Sequence, residues 1–291
     1  MRILVTGLNG FIGKNLINNF SKDDLIMSLS REINPSIKIP NLIQIKGDIA
    51  NPNLWKERVL NFSPECCIHL AWQGIPDFSL KNCRENVYKN LVFLEFLKEI
   101  KIKNLIVAGS CWEYGDCEGE IDENFTPQNP SLFGLSKLSI LSFVKRLSYE
   151  SNLNFKWARI FFAYGPYQIS KTLIPSIRID ILNKENNIRN PFAAQDFIYV
   201  DDVVNAILKL TDEKIPNGIY NIGSNQLNSV GHIANLIYSF YGKEIPYPEL
   251  PKKTNGFYAK NQKLKNYCDF ILENNLKLGI EKTLNFLEKG E

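Results

Sequence analysis

The first two-thirds of the chain alternates short apolar runs with amphipathic stretches. Residues 2–5, 25–29, 42–45, 66–71, 105–108 and 155–161 are apolar runs of strand length. Residues 13–20, about 83–98 and 137–151 carry apolar positions at helical spacing. Short strands separated by helices predict a parallel, doubly wound sheet. After Tyr164 the pattern changes. Loops rich in Asn, Pro and Lys interrupt two helices (173–183 and 229–241) and two strand-like pieces (196–200 and 217–223). We expect a first domain from 1–164 plus about 192–213, and a smaller α/β lobe from 165–191 plus about 214–291.

Composition narrows the class. With 291 residues and 44% hydrophobic content, a large core forms without disulfides or metals. The net charge is +3 and the basic residues are scattered, so no nucleic-acid stripe is expected. Neither a basic-then-apolar leader nor a run of about 18 apolar residues is present, which predicts a cytoplasmic protein without a membrane span. The six cysteines form no metal spacing and are expected as free thiols. His69 and His232 have no ligand companions, and no metal is expected.

Thr6-Gly7-Leu8-Asn9-Gly10-Phe11-Ile12-Gly13 follows the first strand and opens the first helix. Gly7 permits a tight turn, Gly10 lets backbone approach a pyrophosphate, and Gly13 lets the helix pack on the strand. The helix N-terminus then faces the anion. An ordinary glycine-rich βα turn is the alternative.

This turn resembles the extended short-chain dehydrogenase/reductase family of the NAD-dependent epimerase/dehydratase type, whose signature T-G-x-x-G-F-I-G it matches at each fixed position. Gly47-Asp48-Ile49, His69-Leu70-Ala71, Asn86-Val87, Tyr164-Gly165-Pro166, the 196–203 segment and Tyr220-Asn221-Ile222-Gly223 match further landmarks, so the resemblance spans nearly the whole chain. It implies a Rossmann-type domain with a C-terminal substrate lobe. It also implies a dinucleotide held by Gly7, Asn9, Gly10, Phe11, Ile12, Gly13, Asp48, Ile49, Leu70, Ala71 and Lys137.

The end of the second strand bears on which dinucleotide. Leu29-Ser30-Arg31-Glu32 puts Ser30 at about the acidic position that NAD requires, with Arg31 beside it. NADP(H) is expected on Ser30 and Arg31, with NAD(H) possible if Glu32 takes the ribose instead.

The family's reaction uses a Ser or Thr after the fifth strand, a Tyr, and a Lys four residues later on the same helix face. The lysine's charge lowers the tyrosine pKa. Ser110 and Lys137 match the outer members; Phe133 stands at the tyrosine. Phenylalanine keeps the ring but exchanges no proton. Three readings stay open: an engineered Tyr→Phe variant, a natural enzyme drawing its proton from Tyr114, Cys111, Tyr164 or Tyr167, or a silent NADP-binding regulator.

Family members act on nucleotide-diphosphate sugars. No carboxylate adjoins Ser110, the nearest being Glu113, which argues against dehydration. Arg31 and the chain's shortness favour reduction of a 4-keto-6-deoxy-sugar nucleotide, with a 4-epimerase as alternative. Trp72, Gln73, Cys111, Trp112 and Tyr167 are candidate sugar contacts. Gln195 replaces the family's usual phosphate-binding Arg, leaving Arg178, Arg189 or Lys171 for the diphosphate. The resemblance also implies a homodimer through the 83–98 and 137–151 helices. Leu91, Leu94, Leu138, Leu141 and Val144 fit that interface or the core equally.

Overall fold

The computed structural model describes residues 1–37, 39–249 and 255–290. In chain order the strands are β1 Arg2–Thr6, β2 Leu25–Ser30, β3 Leu42–Lys46, β4 Cys66–His69, β5 Asn104–Ser110, β6 Gly119–Ile121, β7 Asn154–Ile160, β8 Phe162–Tyr164, β9 Ala194–Gln195, β10 Phe197–Tyr199, β11 Gly218–Ile222, β12 Asn228–Ser229 and β13 Phe257–Ala259. The α-helices are α1 Phe11–Leu16, α2 Lys56–Phe62, α3 Leu80–Glu99, α4 Leu132–Ser151, α5 Leu173–Asn183, α6 Val200–Lys209, α7 Val230–Phe240, α8 Gln262–Cys268 and α9 Leu276–Glu288.

Seven strands form one sheet in the order β11-β7-β5-β4-β1-β2-β3. The pairs β1–β2, β1–β4, β2–β3 and β4–β5 are parallel. Chain order reverses between β1 and β4. Sheets of this Rossmann type hold ligands just beyond the carboxyl ends of the strands at such a reversal. Both strands are apolar because both of their faces are covered: every β4 residue is buried, as are the last four of β1. Leu4, Cys67 and Leu105 from the sheet pack with Phe93 and Leu97 of α3 and Ile140 and Val144 of α4. Each such side chain contributes about 1.5–3 kcal/mol on burial.

Contacts divide the chain into two compact units. One is 1–116, 126–159 and 207–220; the other is 117–125, 160–206 and 221–291. The piece returning to the first unit therefore starts at Ile207, later than the expected 192. Residues 218–222, expected in the second lobe, are instead the edge strand beside β7. Ile219 packs on the first core, and Phe155 N donates to Asn217 Oδ1 at 2.8 Å, which ties this strand to the sheet.

Two helices also differ from expectation. α3 begins at 80, because Ser79 Oγ accepts from Asn82 N; α4 begins at 132, where Ser131 Oγ accepts from Gly134 N, so that 133 and 137 share a helix as expected. The first helix starts at Phe11 and tightens into a 3-10 turn at Ile17. The strand read at 196–200 ends at Tyr199, and α6 starts at Val200.

In the second unit, the buried Asp196 carboxylate accepts from Ser224 N at 2.7 Å, Ser224 Oγ at 2.6 Å, Asn225 N at 3.1 Å and Ala259 N at 2.9 Å. Burial pushes its pKa up against these hydrogen bonds. Asp202 likewise accepts from the backbone N–H groups of Glu273 and Asn274. Asp196 and Asp202, two of the three aspartates of the 196–203 landmark, are thus structural pins. Among the described residues, no helix is long and apolar enough to cross a membrane.

Candidate cofactor and active site

The first unit carries a cleft of about 560 Å³ at the β1–β4 reversal. Gly7, at φ +79°, opens its floor. A Cβ on Gly7 would lie 2.7 Å from Ala71 N and from the Leu70 carbonyl carbon, so only glycine lets the turn meet the end of β4. A Cβ on Gly10 would meet only Gly7 O, at 3.2 Å, and would otherwise fill the cleft. Gly10 caps α1 without a side-chain hydrogen bond. The first-turn N–H groups are therefore left to an anion. Phe11, Ile12 and Gly13 form that turn and contribute backbone; they are not on the cleft wall. Asn9 Nδ2 donates to Glu32 O at 2.8 Å and ties the turn to the end of β2.

Ser30, Arg31, Glu32, Asp48, Ile49, Leu70, Ala71, Trp72 and Gln73 line the same cleft. So does Lys89, which the sequence reading missed. Its Nζ lies 2.7 Å from Asp48 Oδ2 and 2.9 Å from Gln73 Oε1. Burial works to raise the Asp48 pKa, but Lys89 and the Ala50 N–H outweigh it and hold the carboxylate below its ordinary value. A lysine at mid-helix carries no sequence signal; only the packing of α3 brings it here.

A polar ladder on α3 supports the wall. Asn86 Oδ1 accepts from Gln73 N at 2.8 Å, and Asn86 Nδ2 donates to Gln73 O at 3.0 Å. Asn90 Nδ2 donates to Asn86 O, and its Oδ1 faces His69 Nε2 at 2.7 Å. An amide oxygen only accepts, so Nε2 carries the proton and Nδ1 accepts from Thr6 Oγ1 at 2.6 Å. Burial pushes the His69 pKa down to about 4 and keeps the ring neutral. His69 is a buried spacer between β4 and α3.

Lys137 is buried on α4. Its Nζ donates to Ala108 O at 2.8 Å, two residues before Ser110, and lies 4.4 Å from the Trp72 ring centre. Burial pushes its pKa down to about 8, with Glu113 pulling the other way. Phe133 lies one turn earlier and is buried under three rings: Trp72 at 5.0 Å edge-on, Phe78 at 4.8 Å and Trp112 at 6.1 Å. Gly134 makes this approach possible, since a Cβ there would sit 2.3 Å from Trp112 O. Trp72 Nε1 is buried without a hydrogen-bond partner among the described residues. This is a donor on the cleft wall suited to a ligand acceptor.

Ser110 ends β5. Its Oγ accepts from Trp112 N at 3.2 Å, and its backbone N–H donates to Glu113 Oε1 at 2.8 Å. The Ser110 hydroxyl proton stays available. Glu113 does not have that freedom. It is fully buried and bound by Arg159 Nε at 2.7 Å and Trp157 Nε1 at 2.9 Å.

The other candidate proton donors are each packed within their own unit. Tyr114 is fully buried with the Arg159 guanidinium carbon 4.3 Å from its ring centre. Cys111 is 2% exposed, so it presents almost no surface to a sugar, whereas Trp112 is 40% exposed. In the second unit, Tyr164 donates to Leu276 O, and burial pushes its hydroxyl far above the ordinary value. Tyr167 packs edge-on against Phe286 at 4.7 Å. Arg178 is engaged by Glu288 at 2.8 Å, so its guanidinium is committed within that unit. Arg189 and Lys171 are exposed. Gln195 is half-buried in the β9–β12 pair.

A second cavity in the first unit, about 330 Å³, is lined by Leu94, Leu97, Ile102 and Leu147 with Lys98 and Lys101. Ser151 also lines it, but its hydroxyl donates to Leu147 O at 2.7 Å and Lys98 pairs with Glu150, and none of the residues matched to the family's reaction is on its wall.

The turn, the cleft wall and the Ser110–Lys137 arrangement coincide with a family match. The model of the NAD dependent epimerase/dehydratase family matches residues 3–223. The chain belongs to this family. A relative from Aggregatibacter actinomycetemcomitans, dTDP-6-deoxy-L-talose 4-dehydrogenase (NAD(+)), is 30% identical over 79% of this chain and 87% of its own. Protein CapI of Staphylococcus aureus is 27% identical, with 98% of both chains covered. Among solved structures, UDP-glucose 4-epimerase of Thermotoga maritima, with UDP-glucose, shares the fold at a TM-score of 0.87, 22% identity and 99% coverage of both chains.

Proposed function

We propose that this chain binds a nicotinamide dinucleotide in the β1–β4 cleft and acts at carbon 4 of a nucleotide-diphosphate sugar. The reaction proposed is reduction of a 4-keto-6-deoxy sugar. The observation that carries this reading is Lys137 Nζ held on Ala108 O near the end of β5, two residues before Ser110, whose hydroxyl proton is available. The 4-dehydrogenase relative supports the position of the chemistry and the 6-deoxy sugar.

When bound, the reduced dinucleotide supplies the hydride. Ser110 donates a hydrogen bond to the carbonyl oxygen, and Lys137 supplies positive charge near it. The group that would pass the proton is absent, because Phe133 has no hydroxyl. Turnover is slow as the chain stands. Dehydration is disfavoured because Glu113, the nearest carboxylate, is occupied by Arg159 and Trp157.

The fit of the dinucleotide rests on the open space over Gly10, the uncapped first turn of α1 and the unpartnered Trp72 N–H. Ser30 and Arg31 on the wall support NADP; Glu32 on the same wall supports NAD, the cofactor named in the family description. We favour NADP.

The family description, NAD dependent epimerase/dehydratase, favours a second reading, 4-epimerisation with retained NAD. Phe133 itself favours a third, a silent binder that senses the dinucleotide. An assay of the Phe133→Tyr variant separates them. Oxidation of NADPH with a 4-keto sugar nucleotide supports reduction, interconversion of two unoxidised sugars supports epimerisation, and inactivity on both supports the sensor.

A homodimer through α3 and α4 is part of the proposal. Leu94, Leu141 and Val144 are core residues, so the interface would fall to exposed Tyr88, Leu135 and Phe143 with half-buried Leu91 and Leu138 at its margin.

A further inference from the structure

The ring cluster around Phe133 reaches the surface. Phe133 is its hub, touching Trp72, Phe78 and Trp112; Phe78 and Trp112 also touch each other, with centroids 5.4 Å apart. Trp72 and Phe133 are the inner pair. Phe78 is half-buried and Trp112 is 40% exposed, so these two form the outer pair. Large aromatic surface left partly open at a candidate site calls for a partner.

We propose that Phe78 and Trp112 form a stacking wall that accepts a sugar with a methyl group at carbon 6 and rejects one with a carboxylate there. The inference rests on the reading that this site takes a nucleotide sugar. It adds the residues that choose among such sugars and the kind of sugar excluded.

Aromatic faces bind C–H and methyl groups through dispersion and the removal of apolar surface from water. A carboxylate gains nothing there: it would lose hydration and meet the negative face of the rings. Compensation would need a cation or several donors. Among the described residues, the cation in ring contact with this cluster is Lys137, which is buried under Trp72 and bound to Ala108 O. The free donors here are the Trp72 Nε1–H in the inner pair and, by sequence, the Ser110 hydroxyl; two neutral donors do not replace the water shell of a carboxylate. A primary alcohol at carbon 6 falls between the two extremes.

Calorimetric titration of the full chain with matched ligands tests this. The probes are 6-deoxyglucose, glucose and glucuronic acid, each linked to UDP and each linked to dTDP. The bare nucleotide diphosphates serve as controls. Within the nucleotide series that binds, affinity is expected to fall from 6-deoxy to hydroxymethyl to carboxylate, by roughly tenfold or more overall. Trp112→Ala combined with Phe78→Ala is expected to flatten the series and leave the bare nucleotide diphosphate unaffected. Trp112→Phe, which keeps a ring, is expected to retain the order. A flat series in the unaltered chain, tighter binding of the uronate, or an unchanged series in the double variant overturns the stacking wall while leaving the nucleotide-sugar reading intact. If no sugar nucleotide binds in either series, both are overturned.

Discussion

Lys137 Nζ lies 2.8 Å from the carbonyl oxygen of Ala108 and 4.4 Å from the centre of the Trp72 ring. A carbonyl and a π face both attract a cation, yet neither replaces water in full. The cost of burial appears as a pKa near 8. In a sample with labelled lysine side chains, NMR titration should find one lysine with a midpoint near 8. That signal should be missing from Lys137→Met. A Lys137 midpoint at the ordinary 10.5 would contradict the burial argument.

His69 makes stability depend on pH. Its unfolded pKa is 6.5 and its folded pKa about 4. Between these values the unfolded chain binds the extra proton, so stability falls as pH drops from 6.5 to 4 and is regained on the way up. The loss is up to about 3 kcal/mol. Denaturant unfolding across this window should show the slope in the unaltered chain and a shallower one in His69→Gln. Equal slopes would rule out His69 as the source.

Glu113→Ala leaves Arg159 buried without its carboxylate and removes the acceptor of the Ser110 and Trp157 N–H groups. Breaking a buried pair in this way costs about 3–5 kcal/mol. Urea unfolding should report a loss in that range. A stable Glu113→Ala protein would reopen Glu113 as a catalytic group.

Arg31 is exposed and lines the cleft. If it meets a 2′-phosphate, Arg31→Ala should weaken NADP binding roughly tenfold or more and leave NAD binding nearly unchanged. Calorimetry with both dinucleotides decides the matter. Equal affinities in the unaltered chain would overturn the NADP preference.

Much of this was legible in the sequence. The strand–turn–helix at Thr6–Gly13 and the Ser110, Phe133 and Lys137 positions sit on the expected elements, because glycine spacing and apolar runs are local signals. Other features come from contacts between distant segments and left no local trace. Lys89 reaches the cleft only through the packing of α3. Phe78 joins Phe133 only because the loop after β4 folds back on Asn82 and Asn86. Residues 218–222 read as a strand, but which sheet they join depends on pairing partners more than 50 residues away. Ser79 was readable as a helix cap and would have placed the start of α3 correctly.

The central claim is that this site lacks one proton-bearing group and is otherwise equipped for chemistry at carbon 4. The most direct measurement is the rate of NADPH oxidation with a nucleotide-linked 4-keto-6-deoxy sugar, compared between the unaltered chain and Phe133→Tyr. A gain of roughly a hundredfold or more is expected, the usual contribution of a positioned acid. That gain should be abolished by adding Lys137→Met. A Phe133→Tyr protein that binds the same ligands and turns over no faster would show that the missing hydroxyl is not what limits this site.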